Sequence, residues 1–235
     1  MKDYIVLPDR LKAVAALIPE CDFLTDVGTD HAYIPIYAVK NGIAKRAAAA
    51  DVVDGPLKIA AANIKNYNLS DKISVVKSDG LTDTPSSDVI VIAGMGGTLI
   101  SDILTAGQKK AHAAKTLILQ PMTCACDLRK SLHRLGFKIV KETIAKDSGK
   151  LYNVMVAKNG TQNFADEFYY HIGEYPLKNS DPLLLEFINH KLTVLKRKID
   201  GMAKSESSAV KQELESCMAL YEKYKRTGEQ IDKGM

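Results

Sequence analysis

Five short apolar runs dominate the first half of the chain: Phe23–Gly28, Ala47–Val52, Ile73–Ser78, Val89–Gly94 and Thr116–Pro121. Each is bounded by charged or turn residues, the pattern of strands covered on both faces. The stretches between them, Ala32–Asn41, Pro56–Asn68, Thr98–Ala106 and Cys124–Leu135, have helical character. Pro56 suits a first helical turn, while Asn68 and Gly136 suit helix ends. Strands alternating with helices imply right-handed βαβ units and a mostly parallel sheet. Beyond Gly136, Lys138–Ile144 and Leu151–Lys158 read as a hairpin through a turn at Lys146–Lys150, closing one sheet edge. Residues 159–163 read as a linker.

From Asp181 the period becomes helical. Leu185, Ile188, Leu192, Leu195, Ile199 and Met202 are spaced 3, 4, 3, 4, 3, and Val210, Leu214, Cys217, Tyr221 and Tyr224 are spaced 4, 3, 4, 3. Two heptad stripes joined by a polar turn at Ser205–Ser208 predict an antiparallel helical hairpin packed through those stripes. Thr227–Met235 reads as a frayed tail. With 235 residues, one domain plus an appendage is expected, divided as 1–160 and 161–235.

Several function classes drop out. No stretch approaches the roughly 18 apolar residues of a membrane span. The start, Met1–Lys12, has too short an apolar run for a secretory leader and no small-residue cleavage site. Cys21, Cys124, Cys126 and Cys217 form no CxxC pair, so free thiols in a reducing cytoplasm are expected. His31, His112, His133, His171 and His190 are scattered, and no metal site is expected. Charge is uneven: residues 109–150 hold ten Lys/Arg against three Asp/Glu, a net +7. Such a block either meets a polyanion such as nucleic acid or forms solvated helix and hairpin faces.

Ligands of a doubly wound sheet sit at the carboxyl ends of its strands, so strand ends carry the functional signal. The first is followed by Asp26-Val27-Gly28-Thr29-Asp30-His31, with one glycine where a dinucleotide turn needs G-x-G-x-x-G; no phosphate loop occurs elsewhere. A carboxylate there repels phosphate and attracts a cation, such as the ammonium or sulfonium of S-adenosylmethionine. The second run ends near Asp51 and Val52, and an acid there suits a ribose diol. The third ends in Asp79-Gly80-Leu81, where Asp79 can accept from an adenine amine and Leu81 can pack on its ring. Three acids ending consecutive strands are the layout of a Rossmann-like methyltransferase, although Asp also caps helices in many α/β proteins. The fourth run ends in Ala93-Gly94-Met95-Gly96-Gly97 and the fifth in Gln120-Pro121-Met122. The glycines either admit a flat group or merely make a tight turn.

With those residues in view, the chain resembles the bacterial tRNA (adenine-22-N1)-methyltransferase family. The resemblance rests on Asp26–Pro35, Asp54-Gly55-Pro56, Asp79-Gly80-Leu81, Ile92–Gly97, Leu117–Pro121 and Gly149–Tyr152, in order along roughly residues 1–160. The family often has Glu where Asp51 stands and Asn where Met122 stands. The resemblance implies a class I S-adenosylmethionine-dependent methyltransferase domain plus a C-terminal helical hairpin. It implies methyl transfer to N1 of an adenosine at position 22 of tRNA. Cofactor residues are then expected at Asp26, Gly28, His31, Asp51, Val52, Asp79, Gly80, Leu81, Ala93 and Gly94. Asp30, His31, Tyr33, Gly94, Met95 and Gly96 are expected to hold the target base; Tyr33 is otherwise core packing and His31 otherwise a helix cap. Gln120, Pro121, Lys109, Lys110, Arg129, Lys130 and Arg134 are expected to meet tRNA. The hairpin, with Lys191, Lys196, Arg197 and Lys198, either grips a second part of the tRNA or makes a homodimer. A small-molecule or other RNA methyltransferase, and a binding module without activity, are the competing readings.

Overall fold

The computed structural model describes residues 5–203 and 207–233. The chain divides into two compact units, Met1–Phe164 and Ala165–Met235. In the first, the strands are β1 (Cys21–Val27), β2 (Ala44–Asp51), β3 (Ile73–Lys77), β4 (Val89–Gly96), β5 (Thr116–Thr123), β6 (Phe137–Asp147) and β7 (Lys150–Asn159). They form one sheet in the order β3-β2-β1-β4-β5-β7-β6. The first five are parallel; β7 runs antiparallel between β5 and the edge strand β6. The hairpin therefore extends the sheet with its second strand innermost. The order reverses between β1 and β4, and that switch point opens the crevice where such sheets bind ligands.

The helices of this unit are α1 (Asp9–Ala15), α2 (Tyr33–Lys40), α3 (Asp54–Asn66), α4 (Gly97–Ala106), α5 (Gln108–Ala113) and α6 (Ala125–Arg134). Side-chain size sets the packing on the sheet. Ala47, Ala48, Ala49 and Ala50 of β2 are at most 1% exposed, and such short side chains let helices lie close to the strand. Ile34, Ile36 and Ala38 of α2 join Leu24, Val89 and Val91 in the main core.

The expected strands and longer helices are present with ends shifted by a few residues. Helices α1 and α5 escaped the sequence reading because seven and six residues hold too few turns to show a period. The expected five-residue hairpin turn is only Ser148-Gly149, since Asp147 pairs with Lys150. Both turn residues have positive φ, 49° and 75°, as the tight turn matching strand twist requires.

The second unit holds α7 (Phe168–Ile172), α8 (Glu174–Lys178), α9 (Leu184–Met202) and α10 (Ser208–Asp232). Helices α9 and α10 pair as a hairpin, tied by Lys198 and Glu213 at 2.6 Å. Part of the expected polar turn, residues 205–206, lies outside the described residues, as do 1–4 of the start and 234–235 of the tail. The tail is not frayed from Thr227: α10 continues to Asp232. The stripe runs on through buried Gly228, whose Cα faces Ile188 and Leu185 closely enough to leave little room for a side chain. A count of large apolar residues passes over that glycine. Phe168 meets Tyr224 edge-on at 4.9 Å, giving this unit its own small core.

Candidate active site at the sheet switch point

The loop after β1 is built by alternating backbone handedness. Gly28, Asp30 and Ala32 have φ of 73°, 48° and 57°. Glycine adopts this region freely and Asp tolerates it, whereas Ala32 there is strained, a condition concentrated at functional sites. The N–H groups of Gly28 and Thr29 both donate to the Ala50 carbonyl, at 2.8 and 3.0 Å, tying the loop to the end of β2. Asn63 of α3 donates to the His31 carbonyl at 3.0 Å. The bare Cα of Gly28 is needed for space as well: a Cβ there would lie 2.0 Å from Met95 Cε. Met95, expected among the base-holding residues, is half-buried with its side chain against Gly28 and is not part of the cavity lining.

A cavity of about 300 Å³ opens beside the loop. Asp26, Gly28, Thr29, Asp30, His31 and Tyr33 line one side, Ala93 and Gly94 another, and Pro8, Arg10 and Leu11 close it. Asp26 is buried, and its carboxylate accepts from the Thr29 hydroxyl at 2.7 Å. Burial pushes the Asp26 carboxyl up from 3.8 to about 7; the Thr29 hydrogen bond opposes the rise, and the charge of Asp51 adds to it. Asp30 Oδ2 and His31 Nε2 are 3.6 Å apart, and the His31 and Tyr33 rings sit 5.1 Å apart at 38°. The structure thus gathers seven of the expected residues in one cavity: Asp26, Gly28, Asp30, His31, Tyr33, Ala93 and Gly94.

The glycines after β4 do separate jobs. Gly94 has φ of 83° and sits where the β4–β5 register shifts, a bulge that turns its N–H toward Gln120 Oε1 at 3.1 Å. Gly97 is a packing glycine, because a Cβ there would lie 2.4 Å from the Cys124 carbonyl oxygen. Gly96 is close to Thr123, with 3.3 Å available to a Cβ.

Other expected residues lie outside the cavity lining. Asp51 ends β2 half-exposed, its carboxylate accepting from the Val53 N–H at 2.9 Å, and Val52 beside it is exposed. Asp79 lies exposed two residues past the end of β3, next to Gly80 at φ 57°. Leu81 is corrected: it is 1% exposed and packs beneath Gly107, so it presents no face to an adenine ring.

The expected tRNA contacts need more revision. Arg129 is 1% exposed and forks onto buried Glu142 of β6, with Nε to Oε2 at 3.3 Å and Nη2 on Oε1, so it reaches no phosphate. Gln120 is fully buried and Pro121 is buried, so neither touches substrate. Lys110 donates to the Thr82 and Thr84 carbonyls at 2.7 and 2.5 Å, fastening the loop after β3. Lys109, Lys130 and Arg134 are exposed, and Lys130 and Arg134 share one face of α6 four residues apart.

Sequence reasoning missed five cavity residues, Pro8, Arg10, Leu11, Thr29 and Ile34, and Arg10 is the charged one among them. It sits in a seven-residue helix ahead of β1, in no motif, and only the fold brings it to Gln120, 110 residues away. No cluster of His, Cys, Asp or Glu able to hold a metal occurs among the described residues. No described helix is long and apolar enough to cross a membrane.

The sheet order, the glycine-poor acidic loop and the cavity at the switch point define a Rossmann-like methyltransferase fold. Comparison with known proteins narrows that class. The model of the tRNA (adenine(22)-N(1))-methyltransferase family matches residues 24–223, and the chain belongs to this family. It is 40% identical over 161 residues to the tRNA (adenine(22)-N(1))-methyltransferase of Bacillus subtilis, covering 68% of each chain. The crystal structure of the B. subtilis m1A22 tRNA methyltransferase superposes with a TM-score of 0.87 at 31% identity, over 95% of this chain and 99% of that one. The Streptococcus pneumoniae protein Sp1610, solved in complex with S-adenosyl-L-methionine, superposes at 0.81 with 32% identity, over 92% of this chain and all of that one.

Proposed function

We infer that the protein transfers a methyl group from S-adenosylmethionine to N1 of adenosine 22 of tRNA, and that it does so in the cytoplasm. The observation that carries the reading is the cavity at the β1–β4 switch, acidic on the β1 loop and bare-backboned at Gly28 and Gly94, in a chain of this family. The donor set fits the cofactor. Asp26 suits an ammonium, and Asp51 at the end of β2 suits a ribose diol. The cofactor supplies a methyl group on a positively charged sulfur.

The target nitrogen has an in-plane lone pair and attacks that methyl directly, so no base is needed while the bond forms. The protein's contribution is then chiefly positioning, which in good intramolecular models is worth about 7–11 kcal/mol. N1 lies on the pairing edge, so the adenine has to be unpaired or extruded to reach the site. Asp30 is exposed at the cavity rim, and its carboxylate accepts from the N6 amine and offsets the growing positive charge in this reading. The His31 and Tyr33 rings are half-buried with one side toward the cavity, a surface for stacking the base. Lys109, Lys130 and Arg134 supply phosphate contacts on the methyltransferase domain. Lys196 and Arg197 on α9 supply them on the hairpin domain, whose other use would be a homodimer.

The test is methylation of unmodified tRNA with labelled cofactor, mapped by nuclease digestion. Label at one N1-methyladenosine at position 22 is expected. Label that appears only in a small molecule, or in another base, overturns the reading. Asp30→Ala is expected to lower kcat by about 10²-fold or more while tRNA affinity changes little.

A further inference from the structure

Gln120 lies at the centre of an arrangement that the methyl-transfer chemistry does not itself require. Its side chain is fully buried, and its amide is held at both ends, with Nε2 also 3.7 Å from Met122 Sδ. Nε2 donates to the Pro121 carbonyl at 3.0 Å, which fixes the amide orientation. Oε1 then accepts from the Gly94 N–H at 3.1 Å and from Arg10 Nη1 at 2.6 Å. Buried Gln120 thus links the bulge after β4 to a guanidinium from a helix outside the sheet.

Arg10 faces the cavity with its charge intact. No carboxylate among the described residues lies within the 4.0 Å of an ion pair, and its remaining N–H donors have no partner there. The acceptor holding it is a neutral amide, which orients the guanidinium without cancelling its charge. Asp26 and Asp30 line the same cavity as two further carboxyl groups. The cavity therefore presents an unpaired permanent cation and two acids at separate points. That complements a ligand end carrying an ammonium and a carboxylate on one carbon. Acids alone would attract the ammonium and repel the carboxylate. A fork of N–H donors on a guanidinium suits a carboxylate.

We propose that Arg10, oriented by Gln120, binds the α-carboxylate of S-adenosylmethionine and makes the site selective for the intact amino-acid end. The proposal rests on the cofactor reading above and adds a specificity determinant to it. Arg10 is the binding residue; Gln120 is a positioning residue acting through it.

Decarboxylated S-adenosylmethionine keeps the sulfonium, nucleoside and ammonium and lacks only the carboxylate. Calorimetry on the wild-type chain is expected to show it binding about tenfold or more weaker than S-adenosylmethionine, the scale of one charge-assisted pair. Arg10→Met is expected to lose that preference by weakening S-adenosylmethionine alone, leaving the decarboxylated ligand unchanged. Arg10→Lys should keep part of it, as a point charge without the fork. Gln120→Leu should narrow the preference with Arg10 still present, which a purely structural role would not do. Equal binding of both ligands by the wild type overturns the proposal with no substitution needed. So does Arg10→Met weakening both ligands alike, or weakening tRNA affinity while the ligand preference stands. In those cases binding of S-adenosylmethionine survives, and the functional reading with it. A folded wild-type chain that binds neither ligand sinks both.

Discussion

Asp26 is ionised only with difficulty where it stands, and its titration gives the site a signature. Burial raises its carboxyl from 3.8 to about 7. From pH 4 to 7 the folded chain therefore holds a proton that the unfolded chain has released. Stability falls as pH rises through that window and levels off above it. Asp26→Asn removes the effect. The variant should gain on the wild type with rising pH, by up to about 4 kcal/mol at pH 8 for a shift of this size, in urea titrations run at several pH values. The same substitution should weaken S-adenosylmethionine, because the ammonium loses its carboxylate. In the wild type, binding near pH 7 should release part of a proton, seen as calorimetric heat that varies with the ionisation enthalpy of the buffer. Glycines divide just as sharply. Gly97→Ala drives a Cβ to 2.4 Å from a backbone oxygen that cannot swing aside, and about 3 kcal/mol or more should be lost. Gly28→Ala meets only the flexible end of Met95 and keeps its φ of 73°, so about 1–2 kcal/mol is expected. The acidic loop was legible in the sequence because its residues are consecutive and strand ends are where such sheets bind. Arg10 was not, and Gln120 was read as a tRNA contact rather than as Arg10's partner, since their meeting depends on how α1 docks against a strand 110 residues away.

At the scale of elements, α6 and β6 show what counting charge conceals. Ten basic residues between 109 and 150 read as one surface, but successive residues on a helix point about 100° apart. Lys130 and Arg134 face solvent, while Arg129 turns inward between Leu128 and Leu132 to meet Glu142. Arg129→Met should cost about 3–5 kcal/mol, because it leaves Glu142 buried without its partner. Arg129→Met combined with Glu142→Leu should recover most of that loss, a double-mutant cycle readable by urea denaturation. A phosphate-contacting Arg129 would instead show little change in stability and a shallower salt dependence of tRNA binding. Strands β1, β2, β4 and β5 were legible because burial on both faces leaves continuous apolar runs; β3, at the sheet edge, is buried only at Ile73, so the expected cover on both faces does not hold for it. The short helices were not, having too few turns to repeat a pattern. The last two turns of α10 were hidden by a glycine that serves as a close-packing position.

On the scale of the whole chain, the two compact units divide the labour unevenly. Every residue lining the cavity at the switch point belongs to Met1–Phe164. The pairing of α9 and α10 and the edge contact of Phe168 with Tyr224 lie wholly within Ala165–Met235. A chain ending at Phe164 should therefore bind S-adenosylmethionine within about twofold of the full chain, and this is where a binding measurement should start. Transfer to tRNA is expected to respond differently. Each phosphate contact contributes close to one unit to the slope of log affinity against log salt. If Lys196 and Arg197 meet the tRNA, reversing both to Glu in the full chain should flatten that slope by roughly two and raise KM for tRNA, with kcat at saturating tRNA nearly unchanged. Lys109, Lys130 and Arg134 should show the same pattern on the other unit. A slope that stays steep after the α9 reversal, together with a shift in sedimentation, would assign that helix face to a second copy of the chain instead. The hairpin's part in the reaction is thus decided by an ionic-strength series and one sedimentation run, without disturbing the cavity that holds the chemistry.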